Sequence, residues 1–302
     1  MLEEARESLA RSVDCNRSEV IFTSGGTEST NLAIKGLYWQ RREEDRNRNL
    51  IISAGTEHHA VLDPIEWLVK HDGAEVIWLP VDHMGVIDYQ FLEEFLTENH
   101  SRVALITLMY ANNETGVITD INRVTAAANS HGIPVHSDAI ATFGHIPISF
   151  KDSGLAALSI SAHKIGGPVG VGALIVSRST KMVSLIHGGG QERGLRSGTE
   201  NVAAIVGFGA ACALLRNELT ERSSKTRQLR SDLEKGLAKL DATIFGNKAE
   251  RLPNTSFFAF NQIDGETLVM ALDRKGFAVA SGSACSSDST EPSHVLMAMG
   301  VA

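Results

Sequence analysis

The sequence predicts an α/β protein: a mostly parallel sheet with helices on both faces, plus a smaller C-terminal α+β domain. Three observations carry this. Short apolar runs alternate with longer stretches of helical period, the pattern of strands buried on both sides and joined by helices. Helical stretches run up to Gly73 and Gly132, the usual left-handed stop. With 302 residues, 43% of them hydrophobic and 21% charged, the chain has material for a sizeable core and is too apolar for disorder.

Strands are expected at residues 20–23, 50–53, 75–80, 103–109, 134–138, 157–161 and 173–177. Between them the period changes to helical at 28–44, 61–71, 91–98 and 121–131. A long helical segment at 202–240 is apolar early and charged over 218–235. Beyond it, strand-like runs at 242–245, 255–260 and 277–280 surround a helix at 266–275. A boundary inside the long helix, near Ser224, divides the chain into a large domain, 1–224, and a small one, 225–302. There is no internal repeat, low-complexity tract or flexible linker.

The formal charge of −8 argues against nucleic acid as a direct partner, since phosphate backbones call for clustered lysine and arginine. Small anions need only a local site. Three cysteines, Cys15, Cys212 and Cys285, are too far apart for a secreted disulfide framework. No run of about 18 apolar residues appears and the start, MLEEARESLA, is not signal-like, so no membrane is expected and the location is expected to be cytoplasmic.

Several junctions hold residues suited to chemistry. Thr23-Ser24-Gly25-Gly26-Thr27-Glu28 joins a strand to a helix, where glycines and free N–H groups favour an anion. An ordinary turn with a threonine cap fits the same residues. Asp138 ends an apolar run, where ligands of open α/β sheets sit, and suits a ligand cation such as a pyridinium nitrogen; a helix-capping aspartate reads the same way. Lys164, in Ser161-Ala162-His163-Lys164-Ile165-Gly166-Gly167-Pro168, stands between a strand and a turn, where burial or nearby cations lower an amine's pKa; most lone lysines are merely solvated. Cys285 lies among small polar residues, as an accessible thiol would, whereas Cys212 reads as core and Cys15 as loop. His58, in Thr56-Glu57-His58-His59, is an acid–base or ring-stacking candidate, and metal binding by the adjacent histidines is disfavoured by their spacing. The glycine-rich stretch 187–199, with Arg193 and Arg196, suits an anion-contacting loop or a plain surface loop.

Taken in order, FTSGGTES at 22–29, TEHHAV at 56–61, NNETG at 112–116, SDA at 137–139, SAHKIGGP at 161–168, HGGGQERGLRSGT at 187–199 and SGSACSS at 281–287, followed by EPSHVL, resemble the cysteine desulfurases of the NifS/IscS type. These are class V aminotransferase family members among the fold-type-I pyridoxal 5'-phosphate (PLP) enzymes. The resemblance spans nearly the whole chain, and seven motifs in order are very specific. It implies a PLP-dependent sulfurtransferase that converts L-cysteine to L-alanine and takes the sulfur as a persulfide, for iron–sulfur cluster assembly or tRNA thiolation.

By the same resemblance, Lys164 would hold PLP covalently, Asp138 would pair with its ring nitrogen, and His58 would stack on the ring and move protons. Asn113 would contact ring or substrate. Gly26, Thr27, Ser161 and His163 would bind the phosphate, with Thr199 reaching it from the other subunit of a homodimer. Cys285 would carry the sulfur and pass it to an acceptor or iron–sulfur scaffold protein. No metal is implied, beyond a transient cluster ligand from Cys285. Three departures stand out. Ala141 replaces a glutamine that supports the ring hydroxyl. The chain starts past the family's N-terminal DNAATT-like segment. It also stops before a C-terminal arginine for the substrate carboxylate. A truncated, weak or inactive homologue and a selenocysteine lyase-like enzyme are the alternatives.

Overall fold

The computed structural model describes residues 1–282 and 293–301. Its centre is a seven-stranded sheet: β1 (Val20–Thr23), β2 (Leu50–Ala54), β3 (Glu75–Leu79), β4 (Val103–Met109), β5 (Val135–Asp138), β6 (Ala157–Ser161) and β7 (Gly172–Val176). Their order is β1-β7-β6-β5-β4-β2-β3, and only β7 runs antiparallel to its neighbours. The mostly parallel sheet is therefore as expected.

Alternation along the strands explains the two covered faces. Val20, Phe22, Leu50, Ile52, Leu158, Ile160, Ala173 and Ile175 point into one cluster with α1 (Leu2–Ser12), α4 (Tyr89–Asn99), α5 (Ile121–Asn129) and α7 (Val202–Ala238). Ile21, Ile51, Leu105 and Leu174 point the other way, against α2 (Gly26–Glu44) and α3 (His59–Asp72). Period-2 side-chain direction thus gives every strand but the edge strand β3 two buried faces, and the continuous apolar runs follow from it. Gly73 (φ 66°) stops α3 in the left-handed conformation, as expected.

Helix α1 was not foreseen. Its exposed face is charged, but Ala5, Leu9 and Ala10 are buried, and Ser8 donates a hydrogen bond to the Gly209 carbonyl of α7 (2.8 Å). Helix α7 has the length and apolar content that a membrane span would need, yet Ala204, Ile205, Phe208, Cys212 and Leu215 are buried in the cluster shared with α1.

A short α6 (Phe150–Ser153) precedes β6. After α7 come the two-residue strands β8 (Thr243–Ile244) and β9 (Phe258–Ala259), α8 (Gly265–Asp273) and α9 (His294–Ala298). The strand expected at 277–280 is not formed: no strand among the described residues pairs with it.

Candidate active site

Strands β2, β4, β5 and β6 are parallel, and β1, antiparallel to β7, runs with them. Their carboxyl ends therefore open on one edge, where ligands of open α/β sheets gather. The turns Ser24–Gly26, Gly55–His58, Tyr110–Gly116 and Ile140–Ala141 and the single turn Ala162–Ile165 all emerge there.

Asp138 is the last residue of β5 and is 5% exposed. Its Oδ1 accepts the Ile140 N–H (2.9 Å), and its Oδ2 has no partner among the described residues. Burial pushes its pKa up to about 6, against the pull of that N–H and of the Lys164 cation. A carboxylate so placed calls for a cation.

Lys164 lies on the turn just past β6 and is exposed. Of the two environments expected for it, burial does not apply: β6 ends at Ser161, and the turn carries the lysine off the sheet. Its charge still acts on Asp138, His58, His145 and His163. On the same turn His163 Nδ1 bonds to the Ser161 hydroxyl (2.8 Å).

His58 is the N-cap of α3, and its Nδ1 accepts the Ala60 N–H (3.0 Å), so the proton of the neutral ring sits on Nε2. Burial, with the nearby His59, Lys164 and His294 side chains, lowers its pKa and keeps it neutral. Helix α2 begins at Gly26, and no side chain caps it. Threonine capping is thus ruled out, and the hydroxyl of exposed Thr27 and the first amides of a 19-residue helix are left for an anion. A Cβ at Gly26 would come within 2.2 Å of the Ile140 side chain and 3.6 Å of the Ser161 Cβ, so only glycine brings these turns together. A cavity of about 350 Å³ runs from Thr27 and His58 past Asn31 to Lys35 and Trp67. A larger hollow of about 660 Å³, beside Pro134 and Ala156 at the other ends of the strands, holds none of the candidate residues.

Other expectations fare differently. Asn113 is half-buried and makes no hydrogen bond with the described residues; the buried Asn112 beside it does. Asn112 donates to the Thr56 carbonyl (2.9 Å) and accepts from the Glu114 and Thr115 amides. Thr199 is exposed and bonds to none of the other candidates. Its loop is pinned instead by Arg196 on Glu28 (2.8 Å) and by Glu192, which accepts from Arg6 (2.7 and 2.8 Å) and from the Phe22 amide (2.8 Å). Arg196 is therefore a fastener rather than a free anion contact. Glu192 and Arg193 hold positive φ, 44° and 59°. Cys285 lies outside the described residues. Burial raises the thiols of Cys15 and Cys212 to about 12, so both stay protonated.

Sequence reasoning passed over Glu57. It is 1% exposed, its Oε1 accepts the Met109 amide (2.9 Å), and Oε2 is buried without a partner among the described residues. Burial, with Asp138 nearby, raises its pKa well above the carboxylate range. His136 was also overlooked. It bridges Thr107 (2.8 Å) and Ser159 (2.9 Å) across three strands under Asp138, and burial lowers it to about 3.

Residues 1–301 match the family model for class V aminotransferases. An IscS-like cysteine desulfurase of Mycobacterium tuberculosis is 46% identical over 99% of this chain and 77% of its own length. The cysteine desulfurase IscS of Dictyoglomus turgidum is 43% identical over 99% of this chain and 75% of its own. Among solved structures, a NifS-like protein superposes with a TM-score of 0.90 at 38% identity, covering all of this chain and 78% of that one. A structure described as SspA in complex with cysteine superposes at 0.83 with 33% identity, covering all of this chain and 82% of that one. The chain belongs to the class V aminotransferase family and, within it, to the cysteine desulfurases of the NifS/IscS type.

Proposed function

We propose that this desulfurase works with PLP held at the carboxyl edge of the sheet, and that L-cysteine is its substrate. The observation that carries the reading is Asp138: a buried carboxylate with one oxygen unpartnered among the described residues, under the influence of Lys164. The donor set fits PLP at both ends. Asp138 would meet the pyridinium N–H, and the uncapped start of α2 with Gly26, Thr27, Ser161 and His163 would take the phosphate. Lys164 would supply the covalent attachment. When bound, PLP provides an electron sink for charge that develops on the substrate carbon.

The chain's own residues do the rest. Asp138 would hold a proton on the ring nitrogen of the bound cofactor. The neutral His58 ring would stack on the cofactor, and with its Nδ1 held by the Ala60 amide it presents an Nε2–H to the site as a donor. The Cys285 thiolate attacks the substrate sulfur: an S–S bond forms, the C–S bond breaks, and the carbon gains a proton to leave as alanine. Burial holds Cys15 and Cys212 as thiols, so Cys285 is the cysteine left for this role.

Further parts of the reading rest on resemblance: a homodimer in which Thr199 reaches the other subunit's phosphate, Asn113 at ring or substrate, and delivery to an acceptor or scaffold protein for cluster assembly or tRNA thiolation. The division into a PLP-binding part, 1–224, and a cysteine-bearing part, 225–302, belongs with it. The test is to load the chain with PLP, supply cysteine and a thiol reductant, and measure alanine and sulfide. The reading expects equal amounts of each, and sulfide release lost in Cys285→Ser while PLP binding persists. Undiminished sulfide from that variant would refute the role of Cys285.

A further inference from the structure

The start of α9 lies against the active-site turns through contacts that the proposed chemistry does not use. The Ser293 hydroxyl donates to Glu114 Oε2 (2.5 Å), while its oxygen caps α9 by accepting the Val295 amide (3.1 Å). His294 Nε2 donates to the Glu57 carbonyl (2.8 Å), and its ring packs on His59 with centroids 5.0 Å apart. The Glu114 amide bonds to Asn112 Oδ1 (3.0 Å), and Asn112 Nδ2 to the Thr56 carbonyl (2.9 Å).

These links close on themselves. From Thr56 the ring runs to Asn112, Glu114, Ser293 and His294, then back to Glu57, the neighbour of Thr56. His58 follows Glu57 in one tied turn, and Asn113 lies between Asn112 and Glu114 in the other. Two carboxyl oxygens, Glu57 Oε2 and Glu114 Oε1, are buried within this arrangement without partners among the described residues. Buried polar atoms without partners are few in folded proteins, and each calls for an explanation. Val295 and Met299 are buried beside Phe245, which seats α9 independently of the ring.

We propose that Ser293 and His294 are positioning residues, closing a hydrogen-bonded ring that fixes the turns bearing His58 and Asn113 to the chain that follows Cys285. Ser293 stands eight positions after Cys285 in the sequence. The functional part of this inference rests on the desulfurase reading; the ring itself does not.

The two roles of Ser293 separate by substitution. Asparagine and aspartate both cap helices well, but only asparagine also offers an N–H to Glu114, and aspartate repels it. The measurement is hydrogen exchange on the full chain without PLP, at the Ala60, Glu114 and Thr115 amides, followed by alanine formation on the PLP-loaded chain. Ser293→Asp and His294→Ala should speed exchange at those amides about tenfold or more, with β5 and β6 unchanged. They should lower kcat at least tenfold with KM moving less than threefold. Ser293→Asn and Glu114→Gln should stay within threefold on every readout. Adding Glu114→Ala to Ser293→Asp should cost nothing more. Unchanged exchange in both Ser293→Asp and His294→Ala, or multiplying effects of Ser293→Asp and Glu114→Ala, would overturn the ring. If the wild-type chain forms no alanine, the desulfurase reading fails while the exchange result still decides the ring.

Discussion

Residues up to the end of α7 and the residues after it are built in different ways. In the first region β1, β2, β4, β5, β6 and β7 are buried along their whole length, and side chains as large as Tyr38, Phe143 and Phe208 are enclosed. In the second, the strands have two residues each, α8 buries none of its side chains, and Ile263, Met270 and Phe277 are half exposed or more. Every candidate cofactor contact belongs to the first region, so the cofactor site rests on a pre-built sheet edge. The second region contains Cys285, the proposed sulfur carrier, and meets that edge through Ser293 and His294. Cofactor binding and sulfur chemistry should therefore be separable by mutation.

The largest expected effect is at Lys164. Lys164→Ala removes the proposed attachment point from an exposed turn, so alanine formation should fall about a thousandfold or more while the circular dichroism spectrum is unchanged. Activity that survives would show that attachment lies elsewhere. Next, Glu192→Ala leaves Arg6 beside β1 without the carboxylate that also holds the Phe22 amide. Breaking a buried pair costs about 3–5 kcal/mol, so the denaturant midpoint should drop sharply; a loss under about 1 kcal/mol would place the pair on the surface in solution. In the comparison's own terms, Phe208→Ala in the first region should cost about 3–5 kcal/mol. Met270→Ala in the second, 56% exposed, should stay within about 0.5 kcal/mol. Similar losses at the two sites would erase the contrast.

Asp138→Asn should move stability and activity in opposite directions. The folded carboxyl titrates near 6 against an ordinary value of 3.8, so between those pH values the folded chain holds more protons than the unfolded one. Stability falls as pH rises through that window, by about 3 kcal/mol in total from this group. Without PLP the asparagine variant should be more stable at pH 7 by up to that amount and lose that part of the slope. With PLP it should turn over at least about a hundredfold more slowly. A variant destabilised at pH 7 would mean that Asp138 already has a cation partner in the empty protein.

Much of the first region was legible because strands buried on both faces leave continuous apolar runs; β1, β4 and β6 fall where those runs lie. Helix α1 was hidden by its charged outer face, and α9 by having only five residues. Asp138, at a strand end, and Lys164, on the turn after one, were legible as candidates because ligands of open α/β sheets gather at the carboxyl ends of the strands. The exposure of Lys164 was not, since it depends on the short turn after Ser161. Asn112, Glu114, Ser293 and His294 lie in stretches that carried the resemblance, but nothing local showed that they meet. Their ring joins three segments far apart in sequence, and only tertiary packing brings their polar atoms together.

The most direct test of the account is to load the chain with PLP, reduce it with borohydride, digest it and locate the pyridoxyl phosphate mass. The account predicts the label on Lys164 alone, and its absence from the Lys164→Ala variant. A label on another lysine, or none on the wild-type chain, would contradict it.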